Sequence, residues 1–551
     1  MDVRRRFLGA ALAACALVAC GLPARALASH AQQSILMDDN QLIYATPAHM
    51  LQTLEKISAL GVDRVKVSVV WSLVAPDADS TQRPSFDATD PNAYPPGAWD
   101  RYDILVRDAS ELGLKVYFQL TPPAPMWALP PGQDNNQGEP LGRAPKTSEF
   151  RQFVQAVGRR YSGNFGVQVQ QQQPPPPPAN LLSKLLGGQA QPPPAPGQMA
   201  PLPRVDYWGI WNEPNFKSWL NPYYGARRNG QRVLLQPGLY RGLTDAAWQG
   251  LQKSGHAGDT ILIGEIANDG ILTPLDFIRA LYCVSNRYRP LTGAAAVHVN
   301  CPTSGTRGRF VAQHPGLFKT TGFAHHPYSF NKPPNRPFPD RTWITIFNIS
   351  TLERVLDQVV GSYGQLHGRT VPLYLTEAGY KTNPPNPFVG TTQAEQANWI
   401  NESDYMTWKD PRIRANTQFL LVDDGPNKLA PVGTHSYWRT FQTGLIGLNG
   451  SPKPAYAAFR IPIWLPNARH GARVTVWGQL RPANRAAPQR GELQFRRRGS
   501  RSWGKLQAVT ANSSEGYLYV HVRIRSAGSV RLQWFDFRSG HFDYSRTVTV
   551  S

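Results

Sequence analysis

The chain predicts an α/β fold, a (β/α)8 TIM barrel followed by a small all-β sandwich, on three observations. Strand-length apolar runs alternate with helix-period segments from about residue 30 to residue 460. Two of those runs end abruptly on a glutamate: Trp208-Gly209-Ile210-Trp211-Asn212-Glu213-Pro214 and Leu373-Tyr374-Leu375-Thr376-Glu377-Ala378-Gly379. Parallel barrels carry their chemistry at such strand ends. Beyond Arg460 the helical period gives way to short alternating strands separated by turn residues. At 551 residues and 41% hydrophobic content the chain is long and apolar enough for both units.

Taken in order, Ser34 to Asp38 is a weak first strand, and Thr46-Pro47 caps a helix that shows Met50, Leu51, Leu54, Ile57 and Leu60 on one face. Gly61 stops it. Val65 to Trp71 is the second strand, Trp99 to Leu112 a helix, and Leu114 to Leu120 the third strand, followed by a stiff Pro-rich loop bearing Trp127. The next helix carries Phe150, Phe153, Val154 and Val157 on one side. From Gly166 to Pro203 the sequence is rich in Gln and Pro, with prolines at 174–178 and 192–194, so a disordered insertion is expected on the barrel face away from the strand ends. Its Leu181-Leu182-Ser183-Lys184-Leu185-Leu186 is a short helix or a partner-binding turn.

The fourth strand then ends at Glu213, Gly238 to Lys253 is a helix, Ile261 to Glu265 is the fifth strand, and Gly322 to Tyr328 the sixth. A helix with Leu352, Val355, Leu356, Val359 and Val360 leads to the seventh strand and Glu377, and another runs from Gln393 to Trp408. The eighth strand is Ile413 to Val422 in preference to Thr434 to Trp438, which otherwise lies in a loop above the barrel. Lys453 to Phe459 is the closing helix. Val474 to Gly478, Leu493 to Phe495, Leu518 to Val522, Val530 to Trp534 and Thr547 to Val550 make the sandwich of residues 461–551.

The first 28 residues stand apart. Arg4-Arg5-Arg6 precede an apolar run from Phe7 to Leu22 and an Ala26-Leu27-Ala28 cleavage pattern, which reads as an export signal, and Arg4-Arg5-Arg6-Phe7-Leu8 also fits the twin-arginine pattern. Leu17-Val18-Ala19-Cys20 resembles a lipoprotein box and leaves lipid anchoring through Cys20 as the alternative. No later run approaches the roughly 20 residues of a spanning helix. Cys283 and Cys301 are the pair left in the mature chain, expected as a disulfide tying one surface loop, and two cysteines without clustered histidines argue against structural zinc.

The net charge of +21 comes from 44 Arg and 14 Lys spread without blocks of five, so nucleic acid is not the expected partner. The last 91 residues concentrate it, with 15 basic against 4 acidic side chains, including Arg496-Arg497-Arg498. Such a surface suits acidic glycans or cell-wall polymers at low ionic strength.

Two carboxylates at strand ends are the minimum equipment for glycosidic bond cleavage, one protonating the departing oxygen and one attacking the sugar carbon. The Trp-Asn-Glu-Pro and Thr-Glu-Ala-Gly endings, 164 residues apart and in this order, resemble clan A of the glycoside hydrolases, closest to the family 5 and family 39 branches, over roughly residues 30 to 460. The resemblance implies a retaining mechanism with Glu213 as acid/base on strand four, Glu377 as nucleophile on strand seven, about 5 Å between them, and no metal or organic cofactor. Glu213 then has to hold a proton near neutral pH, which an apolar neighbour such as Trp211 favours.

By the same resemblance Asn212 meets the sugar 2-hydroxyl, and in His326-Pro327-Tyr328 the tyrosine orients the nucleophile. The clan's strand-two arginine, five residues before a Trp, is here Lys66 before Trp71, which keeps the charge and loses the bidentate fork. Trp127, Trp219 and Trp438 are candidate sugar-stacking platforms, and Trp71 and Gln418 are counted with the substrate-binding set. The substrate implied is an oligo- or polysaccharide. Lys66 also leaves open a catalytically retired barrel that binds carbohydrate or cell wall without cleaving it.

Overall fold

The computed structural model describes residues 29, 31–131, 142–168, 199–226, 230–483, 488–511 and 513–551. The export signal with Cys20, the two proline runs and the Leu181 to Leu186 segment lie outside the described residues.

Eight parallel strands close into a barrel: β1 Gln33–Met37, β2 Arg64–Val70, β3 Lys115–Thr121, β4 Tyr207–Ile210, β5 Thr260–Ile266, β6 Gly322–His325, β7 Leu373–Leu375 and β8 Ile413–Phe419. Each pairs with its neighbour in sequence. β1 closes the ring on β8, with Ile35 opposite Thr417 and Met37 opposite Phe419. The eighth strand is therefore the preferred one, and Thr434 to Trp438 lies in the loop that follows it.

Helices alternate with the strands: α1 Pro47–Ala59, α2 Asp100–Glu111, α3 Thr147–Arg160, α4 Gln236–Lys253, α5 Pro274–Leu281, α6 Ile349–Gly361, α7 Gln393–Trp408 and α8 Pro454–Arg460. Thr46 caps α1 by accepting from the His49 N–H, as its sequence signature requires. Gly61 follows at φ +75°, and a β-carbon there would sit 2.6 Å from Arg481 Cβ, so the stop residue also makes room for the C-terminal unit.

The insertion joins the end of α3 to the start of β4, at the opposite end of the barrel from Glu213. Its margins depart from the expectation of disorder, since Gly166–Gln168 and Met199–Pro201 pair as an antiparallel ribbon. Cys283 and Cys301 form the expected disulfide, but beneath the surface: both are buried between α5 and the segment preceding β6.

From Ile461 onward the chain forms two facing antiparallel sheets. One contains β9 Ile463–Trp464, β10 Arg473–Gln479 and β13 Tyr517–Arg523. The other contains β11 Gln489–Arg497, β12 Gly504–Ala511, β14 Gly528–Asp536, β15 His541–Tyr544 and β16 Val548–Val550. Val474, Val476, Leu518 and Val522 from the first pack with Leu493, Val530, Leu532 and Trp534 from the second, the arrangement of a sandwich. Trp477 and Tyr517 seat on Tyr405 and Trp408 at the end of α7, and Arg481 donates to Ser34 Oγ at the start of β1. These contacts fall at the N-terminal ends of the barrel strands, away from the face that holds the two glutamates.

Candidate active site

Near the N-terminal half of the strands the barrel interior is apolar, filled by Ile35, Tyr117, Leu262, Ala324, Tyr374 and Ala415. Toward the C-terminal ends it turns ionic. Lys66 from β2, Glu265 from β5, His326 after β6 and Glu377 after β7 point into the same space, joined by Glu213 from the loop after β4. Three backbones there adopt left-handed conformations without glycine: Trp211 (φ 67°), Glu213 (φ 37°) and Glu265 (φ 48°). Such residues are held only by surrounding bonds. Here the Glu213 N–H donates to the Glu265 carbonyl at 2.9 Å and the Trp211 N–H to Leu120 at 2.9 Å.

Glu213 and Glu377 present carboxylate oxygens within 4.8 Å of each other and of a His326 ring nitrogen. Their side chains are 18% and 9% exposed, whereas those of Lys66, Glu265 and His326 have no exposure. Water and ligands therefore reach this cluster through the two glutamates. Lys66 Nζ donates to Glu377 Oε1 at 3.3 Å and to the Thr376 carbonyl at 3.2 Å, and Tyr328 Oη donates to Glu377 Oε2 at 3.1 Å. Both oxygens of Glu377 are thus oriented by donors.

His326 lies between two carboxylates, with Nδ1 2.9 Å from Glu213 Oε1 and Nε2 2.8 Å from Glu265 Oε2. Burial opposes its charge, but the Glu377 carboxylate and the bonds to Glu213 and Glu265 push it up to about 9. Glu265 is the hub. Burial alone would favour its neutral acid, yet the Lys66 charge and the His326 bond hold it well below the usual carboxylate range. Thr376 Oγ1 (2.8 Å) and Lys66 Nζ (3.0 Å) also donate to its Oε2, and Tyr117 Oη makes a short bond to Oε1. Gly209 leaves space for that contact, since a β-carbon there would lie 2.6 Å from Tyr117 Oη and 2.8 Å from Glu265 Oε1.

Glu213, His326 and Glu377 have the spacing of a metal-binding trio. Both His326 nitrogens are already engaged by carboxylates and Lys66 supplies a cation beside Glu377, so the set is furnished as an ionised hydrogen-bond network. Asn212 turns its Oδ1 to Gln119 Nε2 at 2.9 Å, which leaves the amide NH2 as the end free to meet a ligand.

Several expected binding residues fall elsewhere. Trp71 starts a single helical turn past β2 and is buried in the helix layer, stacked 4.9 Å from Phe153 and edge-on to Trp127 at 6.1 Å. Trp127 is buried too, its Nε1 donating to Pro76. At 1% and 2% exposure neither ring offers an open face to a sugar. Gln418 faces the opposite side of β8 from the site and donates to the Leu420 and Thr443 carbonyls. Its neighbour Phe419 takes the inward position instead, with its ring 6.1 Å from Tyr328. Trp211 packs edge-on to Phe150, and the Glu213 carboxylate has the His326 ring as a polar partner. Trp219 and Trp438 are half-buried on loops after β4 and β8, at the C-terminal end of the barrel strands.

The residues that sequence reasoning passed over are Glu265, Tyr117, Gln119 and Thr376. Glu265 had a signal: Ile261-Leu262-Ile263-Gly264-Glu265 is a third apolar run that closes on a glutamate.

No family model matches this sequence, and no curated protein matches it. Among solved structures it is similar to a β-glucuronidase 2 from Bacteroides uniformis, at 9% identity and a TM-score of 0.39 over 94% of this chain and 46% of that one. This chain therefore spans about half the length of that protein. It is also similar to a glucosidase from Croceicoccus marinus, at 11% identity and a TM-score of 0.46 over 96% of this chain and 97% of that one. A third is a monomeric β-xylosidase from Caulobacter crescentus CB15, at 13% identity and a TM-score of 0.43 over 90% and 94%. Similarity at this level carries no inference about activity.

Proposed function

We propose that the protein is an exported retaining glycoside hydrolase that cleaves β-linked glycans by double displacement, with Glu377 as nucleophile and Glu213 as acid/base. The observation that carries this reading is the separation of at most 4.8 Å between a Glu213 oxygen and a Glu377 oxygen. It suits the ~5 Å span of a retaining pair and is too short for the water an inverting pair admits at roughly 6.5–9.5 Å.

Glu377 attacks the anomeric carbon while Glu213 protonates the departing oxygen, and Glu213 then takes a proton from the water that releases the sugar. Lys66 and Tyr328 favour this by donating to different oxygens of Glu377, which stabilises the carboxylate both before attack and as the leaving group of the second step. The phenol of Tyr328 remains a donor because burial, followed by the charges of Glu377 and Glu213, raises it well above the usual tyrosine range. Export is supported by the signal-like first 28 residues and by a disulfide, which suits an oxidising compartment.

Glu377→Ala is expected to abolish hydrolysis of aryl β-glycosides. Glu213→Ala is expected to spare substrates with good leaving groups and to be rescued by azide, and NMR of the product is expected to show retained anomeric configuration. Glycan binding by the intact protein with no turnover across a panel of aryl glycosides would select the alternative, a retired barrel that only binds carbohydrate.

The C-terminal sandwich is the proposed contact for acidic glycans or cell-wall polymers. On the outer face of its larger sheet the Arg531 guanidinium sits 4.3 Å from the Trp503 ring and 4.0 Å from the Tyr544 ring, with Arg496 4.8 Å from Trp503. Cations beside aromatic faces suit carboxylated sugar rings. Binding of the full chain to polygalacturonate, weakened by salt and by paired Arg496→Ala and Arg531→Ala changes, tests this, with neutral glucan and duplex DNA as the competing ligands.

A further inference from the structure

Three carboxylates and two cations share the cluster, and one of those carboxylates, Glu265, has no exposure and no role in the two-carboxylate chemistry. It nevertheless receives four side-chain donors: Lys66, His326, Thr376 and Tyr117. Two of these, Lys66 and His326, are also the groups that touch Glu377 and Glu213. Resting on the glycosidase reading, we infer that Glu265 is a positioning residue: it holds His326 as a doubly protonated imidazolium, so that Nδ1 always donates to Glu213 Oε1 and only Oε2 of Glu213 exchanges protons with substrate and water.

The rival assignment is a neutral ring whose Nδ1 accepts from a proton on Glu213 Oε1, and the charge of the ring separates the two. Both His326 nitrogens have a carboxylate oxygen as nearest polar partner, at 2.9 Å and 2.8 Å, and a neutral imidazole has one hydrogen for the two. The charged groups facing the ring are Glu213, Glu265 and Glu377 on the anionic side, the last at 3.6 Å, and Lys66 on the cationic side. Tyr328 lies edge-on with its ring 6.5 Å away, and His325 precedes it in the chain, held low near 4 by burial. With Glu213 carrying the proton that the first step consumes, the two cations balance Glu265 and Glu377.

In the first step the Oε2–H bond of Glu213 breaks and its proton goes to the glycosidic oxygen, as a Glu377 oxygen bonds the anomeric carbon and the glycosidic C–O bond breaks. In the second, water bonds that carbon, its proton goes to Oε2, and the bond to Glu377 breaks. His326 keeps both hydrogens throughout, so the carboxyl cannot rotate its reactive oxygen away between steps.

The test is the charge of His326, read by nitrogen NMR on ring-labelled protein, together with the pH profile of kcat/KM. The wild-type ring is expected to keep both N–H groups up to about pH 9. Glu265→Gln removes the charge and keeps the shape. It is expected to lower the His326 titration by at least one pH unit and to shift the alkaline limb of kcat/KM down with it, leaving a twofold or greater loss at pH 8 relative to pH 6 and a nearly unchanged KM. Thr376→Val, which removes a donor to Glu265 but no charge, is expected to leave the titration in place. A wild-type ring that is neutral at pH 7, or a Glu265→Gln protein with unaltered titration and profile, overturns the inference. If Glu265→Gln does not fold, the wild-type titration still decides. Because the ring reports its charge whether or not sugar is cleaved, failure of the glycosidase reading is a separate result.

Discussion

Lys66 Nζ stands 3.3 Å from Glu377 Oε1 and 3.0 Å from Glu265 Oε2, a buried ammonium that ties a solvent-reaching carboxylate to one that never meets solvent. Taking away one partner of such a group leaves the others uncompensated. Lys66→Met is expected to cost about 3–5 kcal/mol of stability, measured by urea unfolding. It is also expected to lower kcat by about 10²–10³, the usual cost of one lost donor to a reacting oxygen. Wild-type turnover in a well-folded variant would remove Lys66 from the proposed mechanism.

Tyr328 donates to the other oxygen of Glu377. Tyr328→Phe keeps the ring stack on Phe330 at 4.9 Å and removes only the hydroxyl. The expected result is a stability change of about 1 kcal/mol with a kcat lowered at least tenfold and KM little altered. A change in KM alone would make the hydroxyl a substrate contact.

The raised titration of His326 predicts the pH dependence of folding. Its proton is held more tightly in the folded chain than at the ordinary 6.5, up to about 9. That contribution is therefore complete below about pH 6.5 and is lost as pH rises through about 9. The total is on the order of 3 kcal/mol. Thermal unfolding between pH 6 and pH 10 is expected to show a falling Tm, and Glu265→Gln is expected to flatten that slope.

Cys283 and Cys301 close a loop with a sequence separation of 18. Replacing both with Ser is expected to cost about 3 kcal/mol from loop entropy. Because both cysteines are buried after α5, with Cys301 Sγ beside Arg241 and not among the strand-end carboxylates, kcat at a temperature where the variant stays folded is expected to be unchanged.

Trp71 and Trp127 are packing residues. Trp71→Ala is expected to cost about 3–5 kcal/mol, as large aromatic truncations in a core do. Substrate affinity in the folded fraction is expected to hold, whereas a raised KM with full stability would restore the substrate-binding role of Trp71.

Much of the barrel was legible in the sequence. The Thr46 cap, the α7 span and the choice of Ile413 over Thr434 for the last strand follow from local patterns that also hold in the structure. The paired glutamate endings mark two of the five charged groups in the cluster, and His326 and Lys66 stand in motifs that are also legible in the sequence. Glu265 shows the same ending as Glu213 and Glu377, but nothing along the chain says that its carboxylate turns inward to collect four donors while theirs reach solvent.

What the sequence by itself determined is where strands and helices begin and end, because hydrophobic period is a local property, and which reactive side chains stand at strand ends. What only the tertiary structure decided is which of those side chains meet. Pairing of β1 with β8 closes the ring and brings residues 66, 213, 265, 326 and 377 into one buried space. Along a strand, a shift of one residue turns a side chain to the other face. That parity sends Phe419 inward and Gln418 outward, a difference fixed by closure of the barrel and by nothing in either residue alone.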